Sequence, residues 1–238
     1  MRNWLVNTQA KEPGYYKGIL IHADLGVHEQ AAELFQRYVS PGFTVLDIGA
    51  GAGAFSLRLQ DLGYQIAALD VYADEFVPQD IPIYCLDVDH GMRECIPGPF
   101  DAVCCLEVIE HLENPWNLLR EIHAILRPGG YLLLSTPNVT SFLSRWIFLR
   151  TGQFHMFGEE SLAYGHIAPI TAFELSVIAE RVGFRVVEVR PGGYLPVFAL
   201  TRWTLRVLFR NFLRGIVYLL AKGQKRGWCL FFVMRKDE

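Results

Sequence analysis

The feature that most constrains the fold is an apolar run that leads directly into closely spaced glycines. It reads Val45-Leu-Asp-Ile-Gly-Ala-Gly-Ala-Gly53, and a helical pattern over 54–62 follows it. Glycines at a junction of this kind let the backbone approach a ligand closely and turn its amide groups toward it. The stretch therefore predicts a buried strand, a ligand-binding loop and a helix, which together open an α/β domain.

Strand and helix patterns alternate along most of the chain. The strands are predicted over 43–48, 65–70, 83–87, 100–106, 131–135, 184–189 and 228–234. The helices are predicted over 29–39, 54–62, 115–126 and 171–182, the last with Thr171 as its N-cap. Such alternation predicts an α/β fold with a doubly wound, mostly parallel sheet. With no linker, the 238 residues are predicted to form one domain, in which 194–226 form an apolar-basic helical insertion before the last strand.

Composition indicates the cellular compartment in which the protein is expected. The apolar share is 51%, yet no stretch reaches the roughly 18 consecutive apolar residues of a membrane-spanning helix, and the first residues lack the apolar core of a signal peptide. The five cysteines include no C-x-x-C pair, which favours small buried residues in a reducing compartment over a disulfide or metal site. A cytoplasmic protein is therefore predicted.

Charge is distributed unevenly along the chain. Residues 201–238 hold nine lysines and arginines against two acidic residues, whereas the first 200 residues carry 13 basic and 23 acidic residues. Within the basic part, 202–220 has the pattern of an amphipathic helix with arginines at every fourth position. Such a helix can make a peripheral contact with the inner membrane face, and it can equally pack against the core or a homodimer partner. The acidic remainder argues against nucleic-acid binding.

Acidic residues follow the predicted strands at the edge where open α/β sheets bind ligands. Asp47 stands just before the glycines, Asp70 ends the next strand, and Asp87 ends the third. A carboxylate at position 47 repels a pyrophosphate and attracts an ammonium or sulfonium group. The glycines nevertheless also satisfy the dinucleotide fingerprint, so a Rossmann-type nucleotide-dependent oxidoreductase stays an alternative.

A cluster of metal-ligating residue types follows the fourth strand. Glu107, Glu110 and His111 stand at positions i, i+3 and i+4, which share one face of a helix. Two carboxylates and an imidazole suit Mg²⁺, Mn²⁺ or Zn²⁺. The alternative is a metal-free polar cleft in which His111 is a general base or a hydrogen-bonded cleft residue. Glu110 and His111 are therefore the candidate catalytic residues.

Several of these stretches resemble class I S-adenosylmethionine-dependent methyltransferases. The similarity rests on 45–53, Asp70, Asp87, 100–115 and 126–138, and it extends over 28–190. More narrowly, the motifs are similar to those of the ubiquinone-biosynthesis O-methyltransferases and related bacterial proteins. The resemblance implies a Rossmann-like, seven-stranded sheet whose last strand runs antiparallel.

The resemblance also implies roles for the matched positions in binding S-adenosylmethionine. The methionine part would contact Asp47, Gly49, Ala50, Gly51 and Gly53, the ribose Asp70 and Val71, the adenine Asp87 and Val88, and the sulfonium side Leu106 and Glu107. The E-x-x-E-H pattern resembles metal-binding motifs of ubiquinone O-methyltransferases and of small-RNA 3′-terminal 2′-O-methyltransferases. A further histidine follows in the latter, for which His166 is the best match and His155 a weaker one.

These observations predict an O-methyltransferase that acts on a small or lipid-linked hydroxylated acceptor. Methyl transfer is an in-line displacement that depends on positioning, and a hydroxyl acceptor must also lose its proton. A divalent metal ion would lower the pKa of that hydroxyl. Besides the oxidoreductase, a non-catalytic methyltransferase-like binding subunit stays open, although such a subunit need not keep the full set of glycines and acids.

Overall fold

The computed structural model describes residues 14–24, 26–193, 223–225 and 227–237. The predicted amphipathic helix over 202–220 lies outside these residues, as does nearly all of the predicted insertion over 194–226. No helix in the described part of the chain is long and apolar enough to cross a membrane.

Seven strands form one sheet, and two short strands form a hairpin at the N-terminal side. In chain order the strands are β1 (Tyr15–Tyr16), β2 (Ile19–Leu20), β3 (Thr44–Ile48), β4 (Gln65–Asp70), β5 (Ile83–Cys85), β6 (Phe100–Leu106), β7 (Leu126–Pro137), β8 (Phe184–Gly192) and β9 (Cys229–Lys236). The sheet order is β5-β4-β3-β6-β7-β9-β8. Strands β3 to β7 pair in parallel, whereas β9 lies antiparallel between β7 and β8. The predicted seven-stranded sheet with an antiparallel last strand is thus confirmed.

Helices cover both faces of the sheet. They are α1 (Val27–Phe35), α2 (Ala54–Asp61), α3 (Pro115–Ile125), α4 (Phe142–Thr151), α5 (Glu159–Leu162) and α6 (Ala172–Val182). One core cluster joins the sheet to apolar residues of α3 and α6, and a second joins its other face to α1 and α2. Because both faces are buried, the central strands are apolar almost throughout, as in other doubly wound sheets.

Local signals explain where several helices begin. The side chain of Thr171 accepts a hydrogen bond from the Glu174 amide at 3.1 Å, so the predicted N-cap of α6 is confirmed. Asn114 caps α3 in the same way, and Pro115 occupies its first turn. No sequence pattern predicts helix α4, because Ser144 is its only buried residue and it lacks an apolar stripe.

Strand β7 differs most from the predicted strand over 131–135. The run from Arg127 to Gly130 has the composition of a helix end, but β7 already begins at Leu126. Leu126 pairs with Phe100, and the register shifts between Phe100 and Ala102. Ala102 pairs next with Tyr131, so residues 127–130 of β7 lie opposite the single residue Asp101 and bulge out of the ladder, which resumes at Tyr131.

All five cysteines are free thiols. Cys104, Cys105 and Cys229 are buried in the sheet, whereas Cys85 and Cys95 are exposed. Burial raises the pKa of each of the three buried thiols well above its ordinary value. These three thiols therefore serve as apolar core residues and not as nucleophiles.

Candidate active site

A cleft of about 810 Å³ opens at the carboxyl ends of the central strands. Strands β4 and β5 are added on one side of β3, and β6 and β7 on the other, so the direction of strand addition reverses at β3. Open α/β sheets bind their ligands at such a switch point. The loops after β3, β4, β5 and β6 line the cleft, and residues of the N-terminal segment close one wall.

Three glycines of the loop after β3 have positive φ angles. These are 72° at Gly49, 52° at Gly51 and 91° at Gly53. A Cβ atom on Gly49 would overlap the side chain of Val108, and one on Gly53 would lie 2.5 Å from Cδ of Pro78. The loop therefore needs glycine for its backbone conformation and for its close packing between the neighbouring loops.

Asp70 is the last residue of β4, and its side chain is hydrogen-bonded to the glycine loop. Its Oδ2 accepts a hydrogen bond from the Gly51 amide at 2.7 Å, and its Oδ1 accepts one from the Tyr72 amide at 2.8 Å. Asp87, beyond β5, accepts a hydrogen bond from the Asp89 amide at 3.0 Å, and His90 Nδ1 lies 3.1 Å from its other oxygen. Both carboxylates are thus held by backbone amides on the cleft wall.

Asp47 lies at the base of the cleft and is only 2% exposed. The hydroxyl of Ser56 donates a hydrogen bond to its Oδ2 at 2.6 Å. Burial raises the pKa of Asp47 to about 7, against the lowering effect of that hydrogen bond, and the negative charge of Asp70 raises it further. A cation bound in the cleft would favour the ionised carboxylate.

Glu107 leaves the strand β6 in an unusual conformation. Its φ angle is 54°, and its Oε1 accepts a hydrogen bond from the Ser135 hydroxyl at 2.6 Å. Only Ile109–His111 form a short 3₁₀ turn, so the prediction that Glu107, Glu110 and His111 share one helical face is wrong. The left-handed residue turns the Glu107 side chain toward β7. Burial raises the pKa of Glu107 to about 7, while the Ser135 hydrogen bond lowers it.

Glu110, His111 and His166 lie close together in space. Glu110 and His111 belong to the turn after β6, and 54 residues of the sequence lie between His111 and His166, which belongs to a later loop. One ligand atom from each lies within 4.8 Å of the others. The amides of Ile167 and Ala168 both donate hydrogen bonds to the Glu110 carbonyl at 2.9 Å, which places the later loop against the turn. Glu107 is not part of this group of residues. His155 lies elsewhere, with its ring edge-on to Trp228.

The group has unusual electrostatics. Glu110 is fully buried, and neither of its carboxylate oxygens has a hydrogen-bond partner of regular geometry among the residues described. Burial and the neighbouring charge of Glu107 raise the pKa of Glu110 well above its ordinary value, although the nearby Thr136 hydroxyl lowers it in part. Burial, together with His166, lowers the pKa of His111. His111 is therefore neutral near pH 7 and can accept a proton.

A model of the methyltransferase domain family matches residues 23–189. The chain belongs to the class I methyltransferase family. Its sequence is 38% identical over 114 residues to the ubiquinone biosynthesis O-methyltransferase of Xanthomonas campestris pv. campestris (strain B100), a match that covers 44% of this chain and 47% of that protein. The chain thus spans about half the length of this relative. The enzyme of the same description from Burkholderia pseudomallei (strain 1710b) is 26% identical over 182 residues, or 69% of this chain and 75% of that one.

Solved structures confirm the methyltransferase fold. A methyltransferase from Archaeoglobus fulgidus, described as dependent on S-adenosylmethionine, superposes with a TM-score of 0.62 at 20% identity, over 89% of this chain and 95% of that one. The 1,6-didemethyltoxoflavin-N1-methyltransferase of Burkholderia thailandensis, solved with bound 1,6-didemethyltoxoflavin and S-adenosylhomocysteine, superposes with a TM-score of 0.56 at 16% identity, over 89% and 78% of the two chains. The fold is Rossmann-like, and S-adenosylmethionine is the cofactor of the family. The family match favours a methyltransferase over the alternative of a nucleotide-dependent oxidoreductase.

The methyltransferase cleft brings together nearly all residues that were predicted to bind the cofactor. They line it along the ends of β3, β4, β5 and β6, and they are Asp47, Gly49, Ala50, Gly51, Asp70, Val71, Asp87, Val88, Leu106 and Glu107. Gly53 is the exception, because it is the N-cap of α2 and lies outside the lining. The sequence did not indicate that the N-terminal residues Leu20, His22 and His28 also line the cleft, since they match no motif.

We expect S-adenosylmethionine to bind more tightly as the pH rises through about 7. The raised pKa of Asp47 and of Glu107 means that both are largely protonated below pH 7, and the cationic cofactor favours their ionised forms. Calorimetric titrations from about pH 6 to 8, in buffers of different ionisation enthalpy, measure the affinity and the protons released. Asp47→Asn should reduce the number of released protons. An affinity that does not change with pH would contradict the expectation.

Proposed function

We propose that the chain transfers the methyl group of S-adenosylmethionine to a hydroxyl group of a small acceptor. The observation that carries this proposal is the group formed by Glu110, His111 and His166, of which His111 lines the same cleft as the glycine loop. A neutral imidazole beside a buried carboxyl group suits the removal of a hydroxyl proton. The O-methyltransferases among the relatives support oxygen as the methylated atom.

The residues of the chain would contribute mainly by positioning and by proton transfer. The cofactor supplies a methyl group that its sulfonium already activates. The glycine loop and Asp70 would hold the cofactor at one end of the cleft, with Glu107 on the sulfonium side. His111, which lines the cleft, would accept the proton of the acceptor hydroxyl as the new bond to carbon forms. A cleft that holds donor and acceptor in line accounts for much of the rate of such a displacement.

As the alternative to a free His111 base, we propose that Glu110, His111 and His166 hold a divalent metal ion, in which case His111 is a ligand and not the base. The residues fit one: the Glu110 oxygens are buried without regular hydrogen-bond partners among the described residues. The Nδ1 atom of His166 lies 2.9 Å from the Met156 carbonyl, which leaves Nε2 as the ligand atom. A carboxylate with two imidazoles suits a borderline ion such as Zn²⁺ or Mn²⁺, and Mg²⁺ less well. When bound, the ion would lower the pKa of an acceptor hydroxyl.

We expect a chelator to lower methyl-transfer activity and an added divalent ion to restore it. His166→Gln should mimic the chelator, because it removes one ligand that lies away from the glycine loop, while S-adenosylhomocysteine should bind as before. Elemental analysis of the purified protein measures the metal directly. Full activity in excess chelator, with no bound metal, would reject the metal site and leave His111 as the base.

An apolar acceptor, such as a lipid-linked one, suits the rim of the cleft. Leu162 and Tyr164 line the cleft and are 61% and 77% exposed. Helix α4, which precedes this segment in the chain, exposes Trp146, Phe148 and Leu149 as well. Large apolar side chains that remain exposed at a binding cleft, as Leu162 and Tyr164 do, commonly contact apolar ligands. The proposed membrane contact through 202–220 and a homodimer rest on the sequence pattern alone.

The activity can be tested while the acceptor is still unidentified. The protein is incubated with a bacterial extract, separated into aqueous and lipid fractions, and with S-adenosylmethionine that carries a deuterated methyl group. Mass spectrometry should then detect a product with the labelled methyl group on oxygen, in the lipid fraction if the acceptor is lipid-linked. If the protein binds the cofactor but neither fraction contains a labelled product, the result would favour a non-catalytic binding subunit.

A further inference from the structure

Two histidines line the cleft at the glycine loop, and the proposed reaction uses neither. His28 lies in the first turn of α1 and is only 8% exposed. Its Nδ1 atom is buried and has no hydrogen-bond partner in the described part of the chain. A buried ring nitrogen without a partner is costly, and such atoms in a cleft commonly face a ligand.

His22 lies directly over the glycine loop. A Cβ atom built on Gly51 would be 2.9 Å from His22 Nδ1, so the ring packs against the loop backbone. His28 lies near His22, and it packs against Phe55 with ring centroids 5.1 Å apart. Both histidines therefore lie at the end of β3, two strands away from Asp87 beyond β5.

The charges at this end of the cleft suit a zwitterionic amino acid. Asp47 and Glu107 are acidic and would attract an ammonium or sulfonium group. A carboxylate needs hydrogen-bond donors instead. The backbone amides in the first turns of α1 and α2 are such donors, and neither helix has a side-chain cap. The Arg58 guanidinium adds positive charge near His28, although it is paired with Glu29 at 2.5 Å.

We infer that His28, together with His22, binds the α-carboxylate of the methionine part of S-adenosylmethionine. This inference rests on the proposed cofactor site. His28 is the main donor because it is buried next to the helix N-termini, where a hydrogen bond to a carboxylate is shielded from water. His22 closes the same end of the cleft from above the glycine loop. No predicted motif includes either residue.

Decarboxylated S-adenosylmethionine tests the inference, because it lacks only the carboxylate. Calorimetry should show that the unaltered protein binds S-adenosylmethionine about tenfold or more tightly than the decarboxylated compound. His28→Leu should remove most of this preference and leave the affinity for the decarboxylated compound nearly unchanged. His28→Asn, which keeps an N–H group near the position of Nδ1, should retain part of it. His22→Leu should cause a smaller loss.

The controls separate this inference from the proposed cofactor site. His123→Asn alters a histidine of α3 outside the cleft lining and should keep the full preference. Thermal melting of each variant checks that the fold is intact. If the unaltered protein binds neither compound, the proposed cofactor is wrong. If it binds both equally, the carboxylate does not contribute to binding, and if His28→Leu keeps the full preference, other groups bind the carboxylate; either result overturns the inference.

Discussion

Replacement of Gly51 by valine is expected to lower the affinity for S-adenosylhomocysteine by at least about 100-fold, or about 2.8 kcal/mol. Gly51 has a φ angle of 52°, which a β-branched residue adopts only with strain. Its Cβ atom would also lie 2.9 Å from His22 Nδ1 and would displace the amide that donates to Asp70. The valine side chain would then occupy the space of the methionine part of the cofactor. Calorimetry of the purified variant measures the loss.

Gly152→Val is the matched control for backbone strain. Gly152 ends α4 with a φ angle of 73°, and a Cβ atom there meets nothing within 4 Å. This variant should lose stability from the strained backbone but keep the affinity of the unaltered protein for S-adenosylhomocysteine. The comparison shows whether the effect at Gly51 arises in the cleft. Unchanged affinity of Gly51→Val would mean that the cofactor does not contact this loop.

Replacement of His111 by alanine is expected to lower kcat by about 10²- to 10⁴-fold, the usual contribution of a general base. The affinity for S-adenosylhomocysteine should change little, because in the proposed site the glycine loop and Asp70 would provide the main contacts of the cofactor. In the unaltered enzyme, kcat should fall only below the ordinary histidine value of 6.5, since burial lowers the pKa of His111. The pH profile of kcat measures this decrease, which forms its acid limb.

His123→Ala is the control for a general effect of losing a histidine. Its ring packs edge-on against Phe184, away from the cleft, and kcat should remain close to that of the unaltered enzyme. The acid limb of the pH profile should disappear in His111→Ala and persist in His123→Ala. Retention of full kcat by His111→Ala would remove this residue from the proposed reaction.

The central sheet could be predicted from sequence because its pattern is local. Strands β4 and β6 have the predicted bounds, Gln65–Asp70 and Phe100–Leu106, since continuous apolar runs identify strands that are buried on both faces. The acids Asp47, Asp70 and Asp87 could likewise be assigned to the cleft. Parallel strands bring their carboxyl ends to one edge, so position along the strand determines position in the site.

The features of the site that could not be predicted from the sequence depend on contacts between segments that are distant along the chain. The helical face expected for Glu107 and His111 does not form, because the left-handed backbone at Glu107 and its bond to Ser135 override the local spacing. His22 and His28 gave no signal in the sequence, since an isolated histidine reveals neither its burial nor its neighbours. Only the packing of the N-terminal segment over Gly51 brings them into the cleft.

The arrangement of the thiols makes the cleft accessible to optical spectroscopy. Cys85 ends β5 with its sulfur 3.5 Å from the carbonyl oxygen of Val71, beside the predicted adenine position. Cys95 is the other exposed cysteine, so Cys95→Ser leaves a single thiol open to a maleimide dye. A fluorophore on Cys85 would report the arrival of a nucleoside in real time, and stopped-flow mixing would then resolve cofactor entry from methyl transfer.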